Sequence, residues 1–263
     1  MALSRRQRLL DRAAQHGLPG VHVLAMQHPE DPALEGVRRL RTALKFALPG
    51  ARNNRIMVSS ATPGAGKSFV SANLAVVLAA GGRRVLLIDA DLRRSSLGPY
   101  FGLAPRNGLA ELLLGEIDER AAIHRDVLPQ LDVLASGMPP RDPTGLLCGE
   151  AFARLLERLS QRYDTVIVDA PPALLASEAA EMAVHMGTLL MVARAGDNEL
   201  GDLTQSIKEL RHAGARFQGV VLNALDARQR YYGSYAYRYG AYRVRAHAYP
   251  ALAPPLAAPG TAG

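Results

Sequence analysis

Tryptophan is absent from this 263-residue chain, cysteine occurs once and lysine only three times. Each scarcity excludes something. The longest apolar stretches, 74–80 and 188–193, fall well short of the roughly 18 residues that a membrane-crossing helix needs. No membrane helix is expected. The single cysteine, Cys148, cannot close an internal disulfide or build a cysteine metal cluster, and in the apolar context GLLCGEAF it reads as a core residue. Histidines are scattered without ligand spacing, so no zinc or iron site is indicated. The N-terminus, MALSRRQRLLDRAAQ, is basic but lacks the apolar stretch and small-residue cleavage site of a secretory signal. A cytoplasmic location is the expectation.

What is present is the composition of a globular protein, 48% hydrophobic and 21% charged, long enough to bury a sizeable core. Its net charge of +7 invites a nucleic-acid reading, but the distribution argues otherwise. Residues 1–55 carry 10 Lys/Arg against 4 Asp/Glu, residues 56–225 carry 16 against 19, and residues 226–263 carry 5 against 1. An acidic body therefore has two basic ends. No nucleic-acid partner is expected.

From Arg55 onward, short aliphatic runs alternate with stretches of helical period. The runs 55–60, 85–89, 131–135, 165–169, 188–193 and 219–223 read as strands, and the intervals 67–80, 109–115, 144–162, 177–185 and 199–213 as helices. Nearly continuous hydrophobicity in the strands indicates a mostly parallel sheet covered on both faces, a doubly wound α/β fold. Upstream, Asp31 and Pro32 cap and open a helix that Pro49-Gly50 stops. Three divisions result: a basic N-terminal segment with its helix (1–54), a core (55–225) and a tail (226–263). The tail holds seven of the nine tyrosines, lacks apolar periodicity and reads as a flexible appendage.

The strongest motif is RIMVSSATPGAGKSFVSANLA, residues 55–75, in which a strand is followed by a glycine-bearing turn, Lys67-Ser68 and a helix. That context is the one a nucleotide phosphate loop requires. Thr62, Pro63, Gly64, Ala65 and Gly66 would wrap phosphate oxygens with backbone N–H groups, and Ser68 and Phe69 would open a helix aimed at the anion. Lys67 would reach the terminal phosphates of ATP, and the Ser68 hydroxyl would ligate Mg²⁺. The usual spacing would put glycine at position 61, where Ala61 stands.

Two further strands end in acid. VIVDAPP (166–172) delivers Asp169, the usual place for a carboxylate that orients the metal's water shell. LLIDADLR (86–93) delivers Asp89 and Asp91, which alternation would point together into a cleft at the carboxyl edge of the sheet.

These motifs together resemble the bacterial tyrosine autokinases of polysaccharide biosynthesis, the BY-kinases, over about residues 22–245. They stand where that family has its Walker A, Walker A′ and Walker B motifs on a P-loop NTPase fold. The likeness extends to E-x-x-R-x-x-R, present as Glu35, Arg38 and Arg41, and to the terminal tyrosines. It implies that Asp89, Asp91 and Asp169 surround the metal, with Asp89 the base toward an incoming tyrosine hydroxyl. It also implies that Tyr231, Tyr232, Tyr235, Tyr237, Tyr239, Tyr242 and Tyr249 are the acceptors, phosphorylated in trans within a ring whose contacts come from the Glu35, Arg38 and Arg41 helix. Such kinases commonly follow a transmembrane chain-length-regulating domain in one polypeptide. This chain is accordingly expected to be either a free kinase that partners a separate membrane protein or an excised domain, with a tyrosine phosphatase to reset it. Where the family commonly carries an aspartate beyond D-x-P-P, this sequence has Glu178. Asn223, at the end of the last strand, stands where related ATPases often read adenine.

The nearest competitor on this fold is the Min and Par type of partition or positioning ATPase. Its signature lysine, five residues before the loop lysine, is replaced here by Thr62. A nucleotide-switched scaffold with a nucleic-acid-binding tail is the alternative from another class, since tyrosine and arginine can stack on bases.

Overall fold

The computed structural model describes residues 23–196 and 200–225. The first compact unit of the chain ends at Ala224, and the seven predicted acceptor tyrosines, Tyr231 to Tyr249, lie outside the described residues. Among the described residues seven strands form one sheet: β1 (Arg55–Ser60), β2 (Val85–Asp89), β3 (Ile123–Leu128), β4 (Leu131–Leu134), β5 (Thr165–Asp169), β6 (Thr188–Arg194) and β7 (Phe217–Asn223). Their spatial order is β3-β4-β2-β5-β1-β6-β7, and every pairing is parallel except β3 with β4. The expected α/β doubly wound, mostly parallel sheet is therefore present.

Period-two alternation divides the core. Ile56, Val58, Val85, Leu87, Ile167, Leu190 and Val192 face one apolar layer, while Met57, Leu86, Ile88, Val166, Val168, Leu189 and Met191 face the other. The first layer is completed by α1 (Leu24–Gln27), α2 (Pro32–Ala47) and α3 (Lys67–Ala79). On the opposite face lie α4 (Leu109–Leu114), α7 (Glu150–Arg162), α8 (Glu178–Ala183) and α9 (Leu200–His212). Two short helices, α5 (Glu119–Ala122) and α6 (Pro143–Leu147), connect elements on that side. Because β1, β2 and β5 are covered on both faces, their residues are buried almost without interruption, which is why their limits were readable from hydrophobicity alone.

Several expectations need correction. β3 was not anticipated: its middle, His124-Arg125-Asp126, is polar, it pairs irregularly as an antiparallel edge, and Asp126 takes a left-handed φ of 50°. The single helix expected over 144–162 is two, because Gly149 adopts an extended conformation (φ −77°, ψ 155°) and caps α7. That break also overturns the core reading of Cys148. As the residue that ends α6, immediately after buried Leu147, it turns outward and is exposed. The α2 cap is as expected, with Asp31 Oδ1 accepting from Ala33 N at 2.8 Å.

The helix bearing Glu35, Arg38 and Arg41 does not present all three alike. Glu35 and Arg38 are exposed and 3.9 Å apart, and Arg38 donates to the Pro29 carbonyl. Arg41 leans inward instead, reaching the Val77 carbonyl of α3 at 3.5 Å. Glu35 pairs more closely with Arg39, at 3.2 Å, a residue outside the motif. Among the described residues no helix is long and apolar enough to cross a membrane.

Candidate active site

The carboxyl ends of β1, β2 and β5 meet at one place, since β5 lies between β1 and β2 in the sheet. The loop after β1 is shaped by two left-handed glycines, Gly64 (φ 84°) and Gly66 (φ 93°). A side chain at Gly66 is doubly excluded: its Cβ would lie 2.1 Å from Asn223 Nδ2. At Gly64 a Cβ would meet nothing within 4 Å, so that turn faces open space of the kind an anion needs. Ala61 is buried and is not among the residues with positive φ, so the position requires smallness and not glycine.

Lys67 opens α3 and extends to the neighbouring strand ends. Its Nζ lies 2.8 Å from Asp91 Oδ2 and 3.5 Å from Asp169 Oδ2. Ser68 Oγ donates to Asp169 Oδ2 at 2.6 Å and contacts Ser96 Oγ at 2.6 Å, and Ser71, one turn on, donates to Asp169 Oδ1 at 3.0 Å. Asp89 is placed differently from Asp91. Its Oδ2 accepts from Ser95 Oγ (2.9 Å), Ser96 N (3.3 Å) and Leu97 N (3.1 Å), and its Oδ1 from Asp91 N at 3.2 Å. The two aspartates thus converge through a turn beyond β2, not through strand alternation.

Three carboxylates and one ammonium in a buried cluster leave two negative charges uncompensated. Burial, reinforced by Asp169, pushes Asp89 up to about 7. Burial also raises Asp169, against the opposing pull of Lys67, Ser68 and Ser71. Burial works against the Lys67 ammonium, but Asp169 and Asp91 outweigh it and its pKa is raised. This donor set fits a divalent cation. Among the described residues no group of three or more His, Cys, Asp or Glu side chains is placed to hold a metal ion.

Other expected site residues are placed as follows. Thr62 and Pro63 lie on the loop, with the Thr62 carbonyl accepting from Ser60 Oγ at 2.8 Å, and Ala65 is buried. The Phe69 side chain packs against the apolar layer, which leaves only its backbone N–H for phosphate. Asn223, expected to read adenine, spends Nδ2 on the Ala65 carbonyl at 3.0 Å and retains Oδ1. Arg194, at the end of β6, donates to the Gly64 carbonyl at 3.4 Å. Sequence reading missed Arg194, Ser71, Ser95 and Ser96; only Ser71, three residues after Ser68 on a helix, had a periodic signal. Glu178 is held in an ion pair with Arg93. It is buried, and both its oxygens go to Arg93, at 2.6 and 3.2 Å, and to Thr144.

Residues 53–213 match the family model of an AAA domain. EpsB of Ralstonia nicotianae is 44% identical over 230 residues, covering 88% of this chain and 30% of that protein. The tyrosine-protein kinase etk of Escherichia coli strain K12 is 38% identical over 235 residues, 89% of this chain and 32% of its own length. The chain spans about a third of these curated relatives. A solved structure, the kinase domain of Escherichia coli tyrosine kinase ETK, superposes with a TM-score of 0.77 at 38% identity, covering 86% of this chain and 88% of that one.

Proposed function

The chain belongs to the family of bacterial tyrosine autokinase domains, built on the AAA domain, and from that premise we propose that it phosphorylates tyrosines of its own C-terminal cluster. The observation that carries this reading is the buried set of Lys67, Asp89, Asp91 and Asp169 beside a loop able to bind phosphate. ATP is the donor. Its phosphates rest on the backbone of 62–68, with Lys67 leaving its carboxylate partners to neutralise the transferring group. Ser68, Asp91 and Asp169 would hold Mg²⁺, which would supply charge neutralisation on the phosphates.

The phenolic oxygen of an acceptor tyrosine bonds to the γ-phosphorus, the bond from that phosphorus to the bridging oxygen breaks, and ADP departs. A phenol with a pKa of about 10 must release its proton in this step. Asp89 takes it: the elevated pKa suits a base working near neutral pH, and Oδ1, engaged among the described residues by Asp91 N alone, keeps a lone pair. Tyr231, Tyr232, Tyr235, Tyr237, Tyr239, Tyr242 and Tyr249 are the acceptors. From Tyr231 to Tyr249 the chain can stretch about 60 Å at roughly 3.3 Å per residue, enough for transfer in trans between subunits of a ring. Glu35 and Arg38, exposed on α2, would contribute to that contact. The partners are a transmembrane chain-length regulator that activates the kinase at the inner face of the membrane and a tyrosine phosphatase. The process served is exopolysaccharide or capsule polymerisation and export.

Mass spectrometry before and after incubation with Mg-ATP tests this reading. Phosphate is expected on residues 231–249; a protein that hydrolyses ATP and leaves every tyrosine unmodified would instead favour a positioning ATPase. A second expectation concerns assembly. The tail carries a net charge of +4, and each phosphotyrosine adds about −1.5 to −2, so roughly three phosphorylations reverse its sign. Repulsion from an acidic body should then loosen the oligomer. Light scattering that finds both forms in one assembly would sink this idea.

A further inference from the structure

Sheet order separates two sides of the cleft. The ends of β6 and β7 support the phosphate loop through Arg194 and Asn223, so the nucleotide side lies beyond β1. An acceptor must then approach from β2 and β4. On that side stands Arg93, two residues past Asp91. Its Nε and Nη2 are fixed by Glu178, and Nη2 also donates to Thr144 Oγ1 at 2.9 Å. The Glu178 carboxylate is buried at 1% side-chain exposure, whereas the Arg93 side chain remains 48% exposed. Among the described residues no hydrogen bond engages Nη1. One edge of the cation is therefore locked by α6 and α8 while the other is presented to solvent beside the catalytic carboxylates.

We propose that Arg93 is a phosphotyrosine-reading residue, which binds a phosphate already placed two residues from the acceptor tyrosine and so makes phosphorylation of the cluster a primed sequence. This rests on the kinase reading above. Three observations support it. The Cα atoms of residue 89, the proposed base, and residue 93 can be no more than about 14 Å apart, a limit within which tyrosines two apart in an extended segment, about 6.6 Å apart on one face, can reach both groups. Tyr235, Tyr237 and Tyr239 have that spacing. Arginine suits phosphate through charge-assisted hydrogen bonds, and an arginine already held by a carboxylate loses little side-chain freedom on binding. Finally, the unmodified cluster is basic, with Arg238 between Tyr237 and Tyr239, so Arg93 repels it until a phosphate reverses the local charge.

The full chain with Mg-ATP would be given two synthetic peptides of residues 226–249, one unmodified and one carrying phosphate on Tyr239, and phosphorylation of Tyr237 followed. The expected result is a KM about tenfold lower for the phosphopeptide. Within Arg93→Ala the ratio of the two KM values should collapse to near one, whatever its kcat, and Arg93→Lys should keep part of it. Equal KM values in the unsubstituted chain, or a preference that survives in Arg93→Ala, would overturn the proposal. Should neither peptide be phosphorylated, the kinase reading itself fails, an outcome distinct from an equal and measurable use of both. If Arg93→Ala does not fold, phenyl phosphate offers a second measurement on the unsubstituted chain: it should raise the KM of the phosphopeptide and leave that of the unmodified peptide in place. Equal inhibition of both would count against Arg93.

Discussion

Lys67→Met is expected to lower autophosphorylation by at least 10²–10³-fold, the scale on which a positioned charge stabilises a developing one. The substitution has a second effect that the geometry makes distinctive. Lys67 Nζ is the sole cation within ion-pair distance of Asp91 and Asp169 among the described residues. Methionine fills much of the same volume but leaves three buried carboxylates facing one another. Breaking a buried ion pair by removing one partner typically costs about 3–5 kcal/mol. Here the carboxylates can escape part of that cost by taking up protons, so the loss should be smaller at pH 6 and larger at pH 8. Guanidinium unfolding of both proteins at the two pH values, together with anti-phosphotyrosine detection, measures both effects. A variant that retains activity within tenfold would remove Lys67 from the chemistry.

The framework of this site was legible because its parts are local. A strand, a glycine turn, Lys-Ser and a helix adjoin in sequence, and the strands that carry Asp89 and Asp169 are buried on both faces and hence continuously apolar. Sequence could not reveal how the three acidic residues divide their contacts, since a turn beyond β2 decides that Asp91, and not Asp89, pairs with Lys67 alongside Asp169. Glu178 shows the same limit. Its position after D-x-P-P left its role open, and its partner is Arg93, 85 positions away in sequence, a pairing that nothing in the local pattern marks. Cys148 failed for a different reason: an apolar neighbourhood predicts burial on average, but the helix break at Gly149 decides the direction of this one side chain. β3 was missed because an edge strand needs only one apolar flank, and its polar centre erased the alternation.

Asp89 gives the other large effect, and its sign is opposite to that of an ordinary salt-bridged aspartate. Its pKa in the folded protein is about 7 against the ordinary 3.8, with burial the main cause. A group whose folded pKa is raised stabilises the protein fully below its unfolded pKa and loses that contribution as pH rises through the folded value. The nucleotide-free protein should therefore lose stability between about pH 4 and pH 7.5, by an amount on the order of a few kcal/mol given about 1.4 kcal/mol per pKa unit. Asp169, also raised, adds to the slope in the same direction. Asp89→Asn keeps the shape of the side chain and removes the titration, so the slope should flatten, and the cost of turning an NH₂ toward donors that Asp89 accepts from should be least apparent at pH 8. Its autophosphorylation should fall about 10²–10⁴-fold, the range attributed to a positioned general base. Mg-ADP supplies the cation that the ionised carboxylates lack, so adding it should restore the parent's stability at pH 8 more than that of the variant. Urea unfolding across pH 5 to 8.5, with and without Mg-ADP, decides the matter. Parallel curves for the two proteins would show that Asp89 enters folding already ionised, and an Asp89→Asn protein with undiminished phosphotyrosine would move the base to Asp91.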